Sequence, residues 1–209
     1  MRIYTGIAGG EKLERVKDYG LGIMISSSPG RKPNQDLRPF SCALDNGAFA
    51  CFRKGYPFME RCFLDTLDAA YVAGLTLDFI VTPDIVCGGE RSLAFSMEWA
   101  TGRLAGTPNL ALVVQDGMTP ELVDSYVLGH FTRLFVGGSV EWKWKRADQW
   151  IKYAHVHNKQ CHIGQAGTLL YLRAAEHMGA DSVDSTSFVQ NDSWHILDEY
   201  KGNLFGATA

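Results

Sequence analysis

The chain has 209 residues, a formal net charge of -3, 46% hydrophobic residues and 21% charged residues. That length admits one domain or two, the apolar content excludes wholesale disorder, and no apolar run approaches the roughly 20 residues that span a bilayer. Met1 to Gly10 lack the basic-then-apolar pattern of a signal peptide, so the expected location is the cytoplasm. The slight negative charge argues against a general polyanion binder but leaves room for a local basic patch. The five cysteines, at positions 42, 51, 62, 87 and 161, include no C-x-x-C pair, so buried reduced thiols are expected and a disulfide scaffold or four-cysteine zinc site is not.

Short β-rich runs alternate with longer amphipathic stretches. The expected strands are Arg2–Ile7, Leu21–Ser26, Ser41–Leu44, Phe79–Thr82, Ala111–Val114, Leu134–Val136, Gln160–Ile163 and Ser182–Val183. Several are continuous apolar runs, as parallel strands buried on both faces require. Helical spacing is expected over Glu11–Tyr19, Pro57–Ala73, Ser92–Leu104, Pro120–Leu128, Arg146–Val156 and Thr168–Met178, with a last short helix over Ser193–Tyr200. Thr119 and Thr168 are candidate N-caps and Gly179 is a candidate stop. The segment Ser27–Phe40 holds Pro29, Gly30, Pro33 and Pro39, and reads as a loop. Eight β units with mostly helical crossovers predict an α/β fold, a compact (β/α)8 barrel, at about 26 residues per unit against roughly 31 in a typical one. A doubly wound open sheet is the alternative.

In such a barrel the chemistry sits at the C-terminal strand ends. Those segments read Asp45-Asn46-Gly47-Ala48-Phe49, Thr82-Pro83-Asp84, Gln115-Asp116-Gly117, Gly137-Gly138-Ser139, Gly164-Gln165-Ala166-Gly167 and Asp184-Ser185-Thr186. None contains Lys, so a Schiff-base mechanism lacks its amine. None contains His. His162 lies inside the seventh strand and reads as a core histidine, and no histidine-based metal centre or Ser-His-Asp arrangement is visible. Carboxylates around one mouth suit chemistry at an anomeric carbon, with one as nucleophile and a second as acid and base. Gln115 and a further Asp can read a heterocycle's donors and acceptors, Phe49 can stack on it, and Gly137 and Gly138 can bring backbone N–H groups close. Gln165 is either another substrate contact or a structural amide. Each carboxylate also has a plainer reading, as turn or cap chemistry; their joint appearance at successive strand ends favours a site.

This ordered set resembles the tRNA-guanine transglycosylases, which exchange guanine for a 7-deazaguanine base. The resemblance runs through "DNGAF" (Asp45 to Phe49), "TPDIV" with Asp84, "VVQDG" with Gln115, "FVGGSVEW" with Gly137 and Gly138, and "GTLLYLRAAEHMGADSVD" (Gly167 to Asp184), the longest match. It implies Asp184 as the nucleophile of a covalent glycosyl-enzyme, Asp45 as general acid/base, Asp84 and Gln115 as readers of the purine edge, and a backbone contact from Gly138. The chain departs from the family at Asn46 and Ala48, and "DSTSFVQN" lacks the family's Arg after the nucleophile. Only 25 residues follow Asp184, none of them Cys, so the appended zinc subdomain of the tRNA enzymes is not expected. The sequence looks closer to the DpdA-like DNA 7-deazaguanine transglycosylases of phages and genomic islands.

The expected partners are therefore DNA, with tRNA second, and a 7-deazaguanine base, with a partner protein or a second copy to aid docking and no cofactor, metal or membrane. Nucleic-acid contacts are expected from Lys143, Lys145 and Arg146, which are interleaved with Trp142 and Trp144, and from the loop Arg31-Lys32-Pro33. The alternative for the first group is a solvated helix start with Trp packed inward. The rival functions are an N-glycosidase that hands the sugar to water and a non-catalytic nucleic-acid-binding subunit.

Overall fold

The computed structural model describes residues 1–27 and 36–205. The chain runs β1 (Arg2–Gly6), α1 (Glu11–Asp18), β2 (Gly22–Ser26), β3 (Cys42–Asp45), α2 (Ala48–Arg53), α3 (Glu60–Val72), β4 (Leu77–Val81), α4 (Glu90–Thr101), β5 (Leu110–Val114), a 3-10 turn at Pro120–Leu122, α5 (Ser125–Leu128), β6 (Arg133–Val136), α6 (Val140–Val156), β7 (Gln160–Ile163), α7 (Leu169–Met178), β8 (Ser182–Asp184), α8 (Ser187–Gln190) and α9 (Trp194–Phe205). The eight strands are parallel and close in sequence order, β8 pairing with β1 through Tyr4 and Asp184. The expected (β/α)8 barrel is the observed fold. It fits the length because its strands hold only three to five residues.

Period-two alternation along the strands sorts side chains into two layers. Tyr4, Met24, Ala43, Phe79, Val81, Ala111 and Val113 fill the barrel, with Phe135 against them. Residues of the opposite parity, such as Ile23, Leu44, Ile80, Leu112, Val136, Cys161 and Val183, pack outward against the helices. The inward set also includes buried polar groups, Arg133, His162 and Ser182. Arg133 lies 4.4 Å over the Phe79 ring and donates to Ser182 Oγ at 2.7 Å.

Several helix starts differ from expectation. Helix α6 begins at Val140, six residues before the expected Arg146, because Ser139 caps it by accepting the Trp142 N–H. The Trp142–Arg146 segment is therefore helical throughout. Pro120–Leu128 is interrupted: Thr119 makes no side-chain cap, and Asp124 accepts the Val127 N–H at 2.9 Å as α5 forms. Thr168 does cap α7, and Gly179 ends it in the left-handed conformation. Helices α2 and α8 were not expected; at six and four residues they are too short to give a periodic signal. The Arg31-Lys32-Pro33 loop lies outside the described residues. Among those described, no helix is long and apolar enough to cross a membrane.

Candidate functional site

Asp45, Asp84 and Asp184 stand at the C-terminal mouth, each in a different setting. Asp84, just past β4, is 8% exposed. Its Oδ1 accepts from Asn46 Nδ2 at 2.8 Å and its Oδ2 from Gln115 Nε2 at 3.1 Å. Both amides are themselves pinned. Asn46 Oδ1 takes the Ala48 N–H at 2.7 Å, and its Nδ2 also reaches the Thr82 carbonyl. Gln115 Oε1 takes the Cys87 N–H at 2.5 Å, and its Nε2 also donates to Ser92 Oγ at 2.7 Å. Backbone donors can meet only the oxygen end of an amide, so the nitrogen ends must face Asp84. Burial raises the Asp84 carboxyl to about 6, opposed by the Asn46 and Gln115 hydrogen bonds.

Asp45 ends β3, in register with Ser26 of β2, whose hydroxyl lies 3.4 Å from Asp45 Oδ2. Burial first, then the charges of Asp184 and Asp84, push its carboxyl up to about 7, against hydrogen bonds from the Gly47 backbone and Ser26. Gly47 makes the turn possible. Its φ is +79°, and a Cβ there would sit 2.5 Å from the Ser27 carbonyl.

Asp184 ends β8. Its Oδ1 accepts from His162 Nε2 at 3.1 Å and from the Gln165 backbone N–H at 3.2 Å. A carboxylate can only accept, so Nε2 carries the imidazole proton and Nδ1 becomes an acceptor. Nδ1 lies 2.8 Å from Ser182 Oγ, which in turn accepts from Arg133. The result is a directional chain inside the barrel, Arg133 to Ser182 to His162 to Asp184. Burial lowers the His162 pKa although Asp184 opposes it, so the ring is held neutral.

Lys143 completes this setting and corrects the sequence reading. It is 1% exposed, and its Nζ donates to the Gly164 carbonyl at 2.6 Å. Positions 143, 147, 150, 151 and 154 form the buried stripe of α6, which carries Lys143 inward. Lys143 is therefore not a rim cation like the exposed Lys145 and Arg146. Trp144 also turns in, stacking on Tyr171 at 4.3 Å, so the solvated helix start with inward Trp is what forms. An amine thus does reach the mouth, from a helix and not from a strand end. Its Nζ is committed to the Gly164 carbonyl, and burial lowers its pKa against the opposing charge of Asp184.

No protein-family model matches this chain, and no curated protein does. The site must be read from its own geometry. Gly137 spends its N–H on the Val114 carbonyl at 2.9 Å, so its backbone donor belongs to the sheet. The Gly138 N–H makes no protein hydrogen bond among the described residues. Gly138 has φ +79°, and a Cβ there would fall 2.4 Å from Asp116 Oδ2. Asp116 in turn grips Ser139 through its N–H at 2.7 Å and its hydroxyl at 2.6 Å. Gly138→Ala is expected to destabilise the protein by about 1–3 kcal/mol and to distort this loop, measured by thermal melting and base affinity. Phe49 stands 43% exposed in the first turn of α2. Gln165 is exposed and meets Asp184 through its backbone, not its amide.

Sequence reading missed His162, Asn46 and Ser92 as parts of the site, and it gave Lys143 an exposed role that its burial excludes. The signal for His162 was its inward parity on β7, shared with Gly164 just past the strand end. Among the described residues, no group of three His, Cys, Asp or Glu could hold a metal ion. A polar cavity of about 310 Å³, lined by Arg2, Tyr4, Asp78, Arg133 and Asp181, lies at the opposite, N-terminal end of the strands. In barrel enzymes that end serves stability and not chemistry.

Proposed function

We propose that this protein is a base-exchange transglycosylase that replaces guanine in nucleic acid, DNA before tRNA, with a 7-deazaguanine derivative. One observation carries the reading. Asp184 has one oxygen pinned by His162 and Gln165, and it stands close enough to Asp45 for its charge to help raise that carboxyl to about 7. An acid that keeps its proton near neutral pH beside a braced carboxylate is the pairing that covalent glycosyl transfer needs.

The steps follow from these settings. The unpinned Asp184 Oδ2 attacks C1′ of the target nucleoside. The C1′–N9 bond breaks, and Asp45 gives its proton to the departing guanine. The sugar remains on Asp184 as a glycosyl ester. The incoming base then attacks C1′ through N9, Asp45 takes the N9 proton, and the Asp184 carboxylate departs. The His162 N–H holds the carboxylate as it leaves and returns. Asp84 retains lone pairs for the N–H groups of the purine edge, the Gly138 N–H is open to a base carbonyl, and Phe49 supplies a stacking face. In duplex DNA the target guanine has to leave the stack before C1′ can be reached.

Two outcomes test these roles. Asp84→Asn is expected to weaken guanine binding by about 10- to 100-fold, as loss of a charged hydrogen-bond acceptor implies, and to lower the melting temperature, because the new amide nitrogen must face the nitrogen of Asn46 or Gln115. Unchanged affinity by calorimetry would remove Asp84 from base reading. Trapping wild-type protein on a guanine-containing oligonucleotide, followed by peptide mass spectrometry, is expected to find a glycosyl adduct on the peptide containing Asp184. An adduct on another residue would reassign the nucleophile.

A further inference from the structure

Helix α2 follows directly on Asp45 and is firmly anchored. Asn46 accepts the Ala48 N–H, the Cys51 N–H bonds the Gly47 carbonyl, and the N–H groups of Lys54 and Tyr56 both return to the Cys51 carbonyl at 3.0 Å. Ala48 and Cys51 face inward. The outward side is unusual for a chain of net charge -3. Phe49, Phe52 and Tyr56 are 43%, 56% and 61% exposed, and every residue from 52 to 57 is exposed. Among the described residues these three rings stack on no other ring. Neither Arg53 nor Lys54 pairs with a carboxylate there.

Single exposed aromatics are ordinary, but three within eight residues, interleaved with two unpaired cations on a fixed backbone, form a platform. Rings offer faces to bases of any identity, and cations between them meet the phosphates that join those bases. A protein partner would equally accept the rings. The unpaired cations, and a platform that begins within a few residues of a sugar-directed carboxyl, favour a polyanion whose sugar must enter at Asp45.

We propose that Phe52, Arg53, Lys54 and Tyr56 form the docking surface for the single-stranded nucleotides flanking the target guanine. The proposal rests on the base-exchange reading and supplies it with a strand path. This path lies on the β3 side of the mouth.

The test uses the full chain, a fluorescent single-stranded oligodeoxynucleotide with one central guanine, and free guanine as a separate ligand. Two double variants, Phe52→Ser with Tyr56→Ser and Arg53→Glu with Lys54→Glu, change only exposed side chains and should melt like the wild type. Each is expected to weaken oligonucleotide binding by about 10-fold or more, with guanine affinity unchanged. The charge variant should also flatten the salt dependence by about 0.7 logarithmic units for each phosphate no longer held. Wild-type affinity and salt slope in both variants would overturn the surface while leaving the base site standing. So would a wild type that binds guanine but no oligonucleotide. Loss of oligonucleotide binding in the variants of a protein that never binds guanine or forms an adduct would uphold the surface and defeat the base-exchange reading.

Discussion

Asp184→Asn is expected to abolish the glycosyl adduct and to lower base exchange by about four orders of magnitude or more, the scale of removing a covalent nucleophile. The substitution is chosen for its geometry. Asp184 Oδ1 accepts from His162 and from the Gln165 backbone, and an Asn oxygen can accept both bonds. The fold, the His162 tautomer and the guanine affinity should therefore persist while the attacking oxygen is replaced by an amide nitrogen. Calorimetry with guanine and adduct mass spectrometry on the same sample separate these effects. An Asp184→Asn protein that still forms the adduct would place the nucleophile elsewhere.

Asp45→Asn should have the second largest effect, and it should do so in two directions. Exchange is expected to fall by about 10²- to 10⁴-fold, as loss of an acid/base group does, because the departing base loses its proton donor. In the wild type, kcat/KM should decline above about pH 7 as Asp45 gives up its proton, and this alkaline limb should be missing from the residual activity of the variant. Stability should move the other way. The Asp45 carboxyl rises from its ordinary 3.8 to about 7 on folding, so its contribution is fully present below about pH 4 and is lost as pH climbs through 7. Asp84, raised to about 6, acts in the same sense. At pH 8 the Asp45→Asn variant should be more stable than the wild type, on the order of 1–2 kcal/mol once solvent at the mouth is allowed for, and the gain should shrink at pH 5. Melting curves at the two pH values test this. A variant less stable than wild type at pH 8 would mean that Asp45 is a structural carboxylate.

The trade of stability for a poised carboxyl is why the rim was legible in the sequence. Asp45, Asp84 and Asp184 stand just after runs that alternate or stay apolar, so their positions at strand ends followed from the strands themselves. The barrel followed for the same reason: continuous runs such as Leu110–Val114 suit little but a parallel strand buried on both faces. What was not legible depended on helix phase. Lys143 and Trp144 sit in a segment whose composition suggests a cationic, aromatic surface. Only the start of α6 at Val140 reveals that Lys143 continues the stripe of Ala147, Trp150 and Ile151. His162 was hidden by rule of thumb, since a histidine inside an apolar strand is usually core. Here it is core and also a donor to Asp184. Gln115 and Asn46 were visible as amides, but their mutual hold on Asp84 needed the closing of β3, β4 and β5 side by side.

The central claim is exchange of a base within a polymer, and its most direct measurement follows the base. The protein is incubated with single-stranded DNA, duplex DNA and tRNA, each with labelled guanine or a labelled 7-deazaguanine, and label is counted in the recovered polymer. The account predicts incorporation, greatest in DNA, that requires Asp184 and leaves the strands without abasic sites. Release of guanine with abasic sites and no incorporated label would make the protein an N-glycosidase, and the absence of both release and incorporation from all three polymers would contradict the account altogether.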